Sequence, residues 1–239
     1  MRAQSHLERA TLADLRPTQM TVGTAEVVVK RAQWAALKRK ARSKLLAEHW
    51  FPAVKGADGH FYIVDHHHLG VALLAEKVDT VWVMPLADFS TLEHDMFWRV
   101  MEFHQWAHPY NEKGDRRDFN KIPQRLTGLA DDPYRSLAGA VRRAGGYAKD
   151  AAPYTEFLWA AFFRPRFRKA DLRVEGDQGL SPSIVTEAVA LARSSQAQFL
   201  PGWSGVIAPT ARARGPAAPF VGAEGDGVTM GGAVQRTPD

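Results

Sequence analysis

Apolar residues return every three or four positions over residues 24–47, and this spacing predicts an amphipathic helix. Lysines and arginines fill the intervening positions, most densely over residues 38–44. A solvated helix face explains such a charge run, and so does a surface that meets phosphate groups. Before the helix, residues 12–23 are predicted to form a short extended segment, because Pro17 biases Arg16 away from helical backbone angles.

Two apolar runs on either side of an Asp-Gly turn predict a β-hairpin over residues 50–65. A helix is predicted to follow at once, from His66 or His67 to Glu76, and a third strand over residues 80–84. This order places Asp65, the last residue of the second strand, directly beside the start of a helix.

The second half of the chain is predicted to be mainly helical. Residues 90–93 (Ser-Thr-Leu-Glu) have the form of a capping box and predict a helix from there to about Trp106. Three further helices are predicted, over residues 132–146, 153–163 and 181–194. The polar stretch 108–124 predicts a long functional loop, and the Gly- and Pro-rich stretch 206–239 predicts a disordered tail.

Composition narrows the classes of partner and chemistry. The formal net charge is +5 and the isoelectric point is about 9.6, which favours anionic partners such as nucleotides, nucleic acid or acidic surfaces. The chain contains no cysteine, which excludes disulfides, thiolate metal sites and a cysteine nucleophile. No apolar run approaches the roughly 18 residues of a membrane span, and the N-terminus carries no apolar leader. We therefore expect a cytoplasmic protein with no membrane partner.

The strand-to-helix junction at residues 65–68 (Asp-His-His-His) carries the strongest chemical signal. The first N–H groups of a helix have no internal acceptor and lie at the positive end of its dipole, so a helix start binds phosphate readily. Three histidines add hydrogen-bond donors there, or positive charge when protonated. Asp65 is placed to cap the helix, to orient an imidazole, to act as a general base or to bind magnesium. The alternative is a plain N-cap with histidines on the helix surface.

A zinc site is a second interpretation of the histidines. His104 and His108 are four residues apart, which would place both on one face of a helix. However, Pro109 indicates that the helix has ended by then, and no cysteine or His-Glu-x-x-His pattern supports zinc. Packing or loop anchoring explains these two residues better.

Several motifs follow one another in a characteristic order. An extended segment with Pro17-Thr18-Gln19 precedes a helix, a hairpin and an Asp-His-His-His-Leu junction at residues 65–69. Further motifs lie at residues 108–110, 132–137, 143–147, 156–160 and 200–203. Together they resemble the ParB N-terminal and sulfiredoxin superfamily, in particular its branch named "putative ParB-like nuclease". The resemblance covers about residues 10–205 and leaves out the tail.

The resemblance implies a junction that lies beside nucleotide phosphates. Members of the superfamily include CTP-hydrolysing partition clamps, ATP-using sulfinic acid reductases and a serine kinase that uses ADP. Sulfiredoxin chemistry needs the cysteine that this chain lacks. Leu69 stands where such proteins have a phosphate-binding arginine, and His66 stands where they have glycine. Anion contacts would then come from Arg16, Gln19 and Lys30.

We therefore expect an α+β fold with a small mixed sheet. A ParB/sulfiredoxin-like core is expected over residues 10–90, with a helical extension packed on it over residues 91–205. The expected ligand is a nucleotide (ATP, ADP or CTP) or another phosphorylated small molecule, accompanied by Mg²⁺. The predicted catalytic residues are Asp65, His67, His68 and Glu26, the predicted ligand-binding residues are His66, His67, His68, Arg16, Gln19 and Lys30, and the predicted metal ligand is Asp65.

The expected activity is phosphoryl transfer or hydrolysis, with Asp65 or Glu26 as base and His67 and His68 neutralising charge. The alternative is a nucleic-acid protein, either a nuclease or a DNA-binding module. It would use the basic helix around residues 38–44 and the basic cluster at residues 164–169. A regulatory binding module without catalysis is a third interpretation, and the leucine at the junction is its best support. The oligomeric state is left open.

Overall fold

The computed structural model describes residues 7–177 and 179–206, and within them the chain forms nine short strands and seven α-helices. The strands are β1 (Glu8–Thr11), β2 (Arg16–Pro17), β3 (Thr21–Val22), β4 (Phe51–Lys55), β5 (Phe61–Ile63), β6 (Thr80–Asp88), β7 (Ala130–Asp131), β8 (Val174–Glu175) and β9 (Gly179–Leu180). The helices are α1 (Thr24–Ala36), α2 (Arg39–Glu48), α3 (His67–Ala75), α4 (His94–Phe103), α5 (Pro133–Arg143), α6 (Thr155–Phe163) and α7 (Pro182–Ala192).

The expected α+β fold is confirmed. None of the helices in the described ranges is long and apolar enough to cross a membrane. The tail predicted over residues 206–239 lies, from residue 207 onward, outside the described residues.

Five of the strands form one mixed sheet in the order β1-β6-β4-β5-β2. The predicted hairpin is β4 and β5, which pair antiparallel with Val54 opposite Tyr62. After α3, the chain returns as β6 parallel to β4, while β2 pairs parallel with β5 at the sheet edge. The register of β4 against β6 shifts between Ala53 and Val54. Because successive side chains of a strand face opposite sides of the sheet, Ala53 and Val54 join different hydrophobic clusters.

Separate hydrophobic clusters hold the sheet and the later helices. One cluster joins Phe51 and Ile63 of the sheet to Leu73 of α3 and Trp34 of α1. A second joins Val54 to the apolar side of α4, which contributes Phe97, Trp98 and Met101. A third is formed by α5, α6 and α7, and its largest members are Trp159 and Tyr147, whose rings stack with centroids 4.2 Å apart.

The helix predicted over residues 24–47 is two helices, because the backbone is extended at Leu37 and Lys38. The Arg42 guanidinium of α2 donates to the carbonyl oxygens of Trp34 and Ala35, each at 3.2 Å. These two carbonyls would accept the N–H groups of residues 38 and 39 in a continuous helix, so Arg42 replaces the bonds that the break removes.

The predicted capping box at residues 90–93 is wrong, since α4 begins only at His94 and Glu93 makes no side-chain capping bond. Ser90 takes part in a turn instead, where its N–H donates to the Asp88 carboxylate at 2.9 Å. The sequence prediction also missed β1, which is mostly exposed and pairs antiparallel with β6. Its residues do not alternate between apolar and polar, so the strand pattern was absent.

Asp132 links the long loop to α5. Its carboxylate accepts the N–H of Tyr134 at 3.0 Å as the helix N-cap, in agreement with the Asp-Pro prediction. The same carboxylate pairs with Arg164 at 2.8 Å, and Arg164 also donates to the carbonyl of Glu112 in the loop at 2.6 Å. One buried carboxylate therefore ties the loop, α5 and the end of α6 together.

Candidate functional site

The junction forms as the sequence predicts, with an unusual backbone at its centre. Strand β5 ends at Ile63 and α3 begins at His67, with His66 as the N-cap residue in the left-handed region at φ 66°. The N–H of His66 donates to the Asp65 carboxylate at 2.6 Å, so Asp65 supports the turn locally. The second carboxylate oxygen lies 3.9 Å from Nε2 of His66, and the Asp65 side chain is 76% exposed. Its solvent-facing side can therefore meet a ligand.

His67 and His68 both point back to the segment that leads into α1. Nε2 of His67 accepts the N–H of Thr18 at 3.2 Å, and Nε2 of His68 accepts the N–H of Gly23 at 2.9 Å. An imidazole that accepts at Nε2 is neutral and carries its proton on Nδ1. Burial, reinforced by the charge of Arg135, lowers the pKa of His67 to about 3 and that of His68 well below its usual value. The predicted role of both side chains in neutralising phosphate charge does not fit these contacts.

A cavity of about 870 Å³ opens beside the junction, and we call it the junction cleft. Helix α1, the end of α2, the start of α3 and residues 149–157 form its walls. Six of the predicted site residues line it, namely Gln19, Glu26, Lys30, Asp65, His66 and His68. The fold therefore brings together residues that the sequence separates by up to 49 positions.

Two predicted site residues do not line the junction cleft. His67 is buried against Thr18. Arg16 lies on β2, opposite Tyr62 of β5, and its guanidinium donates to the carbonyl of Gln124 and lies 3.2 Å from Nε2 of His60. Arg16 therefore secures the hairpin turn rather than a ligand.

The sequence prediction missed the charged residues that α5 and α6 add to the cleft, which are Arg135, Arg142 and Glu156. Arg135 is 5% exposed, donates to the carbonyl of Thr21 at 3.0 Å and stacks with its guanidinium carbon 3.6 Å from the centroid of the Phe157 ring. Arg142 pairs with the Glu156 carboxylate at 3.0 Å. The only sequence signal for Arg135 was its place in the motif at residues 132–137.

Glu26, one of the two predicted bases, is occupied by an ion pair. Its buried carboxylate pairs with Arg143 of α5. Lys30, one turn further along α1, is only partly buried and forms no ion pair with any described residue. Of these two predicted residues, Lys30 is the one whose charge is available to a ligand.

Backbone strain concentrates at the junction cleft. Four non-glycine residues of the described chain have positive φ, and three of them, His66, Gln105 and Tyr154, line the cleft. Such a conformation costs about 1 kcal/mol or more per residue and is retained mostly where the surrounding structure or a function requires it. This clustering supports the cleft as the functional site.

The described residues do not fit a metal site built from protein ligands. They contain no group of three or more His, Asp or Glu side chains that could hold a metal ion. The pair considered for zinc is not assembled, because His104 stacks on Trp106 at 4.5 Å while His108 packs against Tyr154 and Phe157 at 4.4 and 3.8 Å. Burial, with a smaller effect of Arg135, lowers the pKa of His108 to about 3.

The mixed sheet with a strand-to-helix junction beside a polar cleft defines an α+β domain of the ParB-like class. Residues 8–165 match the family described as "Putative ParB-like nuclease". The chain belongs to this family. A crystal structure of protein Atu1540 from Agrobacterium tumefaciens is 42% identical to the chain, with a TM-score of 0.75 over 84% of this chain and 99% of that one. No curated protein matches the sequence.

Proposed function

We propose that the junction cleft binds the phosphate groups of a nucleotide and that the protein hydrolyses or transfers a phosphoryl group there. The observation that carries the proposal is the single cleft that joins the start of α3 to cationic side chains. Lys30 and Lys149 line it and form no ion pair with any described residue, so their charge is available to an anion. A volume of about 870 Å³ is within the range of small-molecule sites.

The proposed roles follow from exposure and charge. The first turn of α3 and Lys30 bind phosphate oxygens, and the exposed carboxylate of Asp65 acts as the base that orients or deprotonates the attacking hydroxyl or water. His67 and His68 act as positioning residues, because they hold Thr18 and Gly23 beside the cleft. A magnesium ion would enter on the phosphates of the ligand, as it commonly does, with Asp65 as the nearest carboxylate at the junction.

Thermal unfolding with ATP, ADP and CTP, each with and without Mg²⁺, tests this proposal. A nucleotide at one hundred times its dissociation constant adds about 2.7 kcal/mol to the free energy of unfolding. Lys30→Gln should weaken nucleotide binding about tenfold. Asp65→Asn should still bind the nucleotide but should no longer release phosphate from it. Lys121→Gln, at an exposed lysine outside the cleft, is the matched control. The absence of stabilisation by every nucleotide would refute the proposal.

Nucleic acid is the second candidate ligand, and helix α2 favours it. None of the residues of α2 is buried. The basic stretch at residues 38–44 is followed directly by Leu45, which lines the junction cleft. A nucleic-acid strand could contact this helix while one of its phosphates enters the cleft. The family to which the chain belongs is consistent with a nuclease. For both candidates we propose a cytoplasmic location, in which nucleotides and nucleic acid are available.

Single-stranded DNA binding as a function of salt tests the second candidate. Replacing Lys38, Arg39 and Lys40 by Gln should weaken binding and reduce the slope of log K against log salt by about two to three. The same change at Arg166, Arg168 and Lys169 tests the second predicted basic surface, where a smaller effect is expected because Arg168 already pairs with Asp171 and Arg166 stacks on Phe162. Wild-type binding and an unchanged salt slope after the change at residues 38–40 would contradict a role for α2.

A further inference from the structure

Arg135 is a buried cation with incomplete partners. One terminal nitrogen donates to the Thr21 carbonyl, but Nε has no hydrogen-bond partner among the described residues. Its ion-pair contact, to Glu156, is long at 3.9 Å. The Glu156 carboxylate is closer to Arg142, at 3.0 Å. A buried guanidinium normally has its donors satisfied, so this arrangement leaves binding capacity unused.

The position of the guanidinium is nevertheless fixed. The Phe157 ring lies beneath it at 3.6 Å and the Thr21 carbonyl holds one edge, so little freedom is lost when a ligand binds. A planar guanidinium held in this way suits the oxygens of a phosphate group. The neighbouring His67 and His68 are neutral acceptors and cannot supply that charge.

A second hydrogen-bond donor that the described residues leave without a partner belongs to Tyr154, whose ring packs against the same Phe157 ring. The hydroxyl of Tyr154 is buried without a hydrogen-bond partner among the described residues, and its ring centroid is 5.8 Å from that of Phe157. Tyr154 holds the left-handed conformation at φ 60° immediately before α6. Neither this hydroxyl nor Nε of Arg135 is accessible to solvent, so a ligand reaches them only after a side chain moves.

We propose that Arg135 binds a phosphate group of the ligand and that Glu156 takes the place of this phosphate when no ligand is bound. The incoming phosphate displaces the Glu156 carboxylate from Arg135, and Glu156 keeps its shorter contact with Arg142. Tyr154 lines the same cleft, and its hydroxyl is a second donor available to the bound ligand. The inference rests on the proposed function only in placing phosphate in the junction cleft.

Titration calorimetry of the full chain with inorganic phosphate and with pyrophosphate tests this inference. Arg135→Gln should raise the dissociation constant roughly tenfold or more, since a charged hydrogen bond is lost. Glu156→Gln should lower the dissociation constant, because the competing charge is removed. Without phosphate, Glu156→Gln should also have a lower melting temperature than the wild type. Addition of phosphate should raise its melting temperature by more than that of the wild type. Arg116→Gln, at an exposed arginine that pairs with Glu102 and does not line the cleft, should bind phosphate as the wild type does.

Wild-type phosphate affinity in folded Arg135→Gln would overturn the assignment of Arg135. Unchanged or weaker phosphate binding in Glu156→Gln would overturn the proposal that phosphate displaces Glu156 from Arg135. If Arg135→Gln does not fold, the Glu156→Gln result alone tests the proposal. Failure of the proposed function gives a different pattern, in which phosphate binds through Arg135 but no nucleotide binds or is hydrolysed.

Discussion

A Cβ atom added at Gly139 of α5 would lie 2.6 Å from Oε1 of Glu26 on α1, so the missing side chain at Gly139 makes room for the buried carboxylate. Glu26 reaches across to pair with Arg143, one turn further along α5. This contact joins the helix that carries Lys30 to the helix that carries Arg135. The close approach of α1 and α5 at this point therefore requires glycine at position 139.

Replacing Gly139 by Ala should destabilise the protein by about 1–3 kcal/mol, because the new methyl group overlaps the Glu26 carboxylate. Urea denaturation measures the change. In a Glu26→Ala background the same replacement should be neutral or stabilising by up to about 1 kcal/mol, since alanine favours a helix over glycine. An equal loss in both backgrounds would show that Glu26 is not the cause.

The free energy of unfolding should fall as the pH decreases below about 6.5. His67 and His108 have folded-state pKa values of about 3, so the unfolded chain takes up protons that the folded chain does not. This stability is complete above the unfolded pKa and is lost as pH falls toward the folded one. His108 alone should account for about 2 kcal/mol between about pH 7.5 and pH 5.

His108→Phe tests this contribution, because the phenyl ring keeps the contacts with Tyr154 and Phe157 and does not titrate. At about pH 7.5 its stability should lie within about 1.5 kcal/mol of the wild type. Between about pH 7.5 and pH 5 it should lose about 2 kcal/mol less than the wild type. Parallel pH profiles for the two proteins would contradict the explanation.

Gln105→Gly should stabilise the protein by about 1 kcal/mol, because Gln105 has φ 57° and glycine adopts this conformation without strain. Lys77→Gly is the matched change, since Lys77 has the same φ but does not line the cleft. Thermal unfolding should show a gain for both variants. Phosphate or nucleotide binding should weaken only in Gln105→Gly, and equal binding in both would exclude a role for the Gln105 side chain.

A fragment ending at residue 90 should not fold on its own, although the sequence predicts a core over residues 10–90. β3 pairs with β7 beyond that boundary, with Thr21 opposite Ala130, and Ala25 of α1 packs in the helical cluster. Circular dichroism and amide dispersion of residues 7–90 and 7–206 check this. A cooperative unfolding transition in the shorter fragment would support an independent core.

Much of the fold could be predicted where a local signal decides it. Asp132 and Pro133 begin α5, and the Asp-Gly turn forms the hairpin, because these residues restrict the backbone locally. The break after Ala36 could not be predicted, because no glycine or proline marks it and Arg42 stabilises it through side-chain bonds. The edge strand β1 is fixed by its pairing with β6 rather than by its own pattern.

The predicted residues that line the cleft come from the junction itself and from the segment that leads into and forms α1. Asp65 could be proposed from its place at the strand end and Lys30 from the family resemblance, and both line the cleft. Arg135 and Glu156 lie far along the chain, and packing of α5 and α6 brings them there. The lowered pKa of His68 follows from its burial and from the charge of Arg135, and its ring accepts the N–H of Gly23; periodicity reveals none of these.

The two bonds of the Asp132 carboxylate have a consequence for motion. It caps the first turn of α5, in which Arg135 lies, and it holds Arg164, which binds the Glu112 carbonyl. Release of the loop at Glu112 and fraying of that first turn therefore disturb the same buried carboxylate. The amide of Tyr134 and the amides around Glu112 should exchange hydrogen with solvent in one shared opening event, with similar protection, rather than as independent sites.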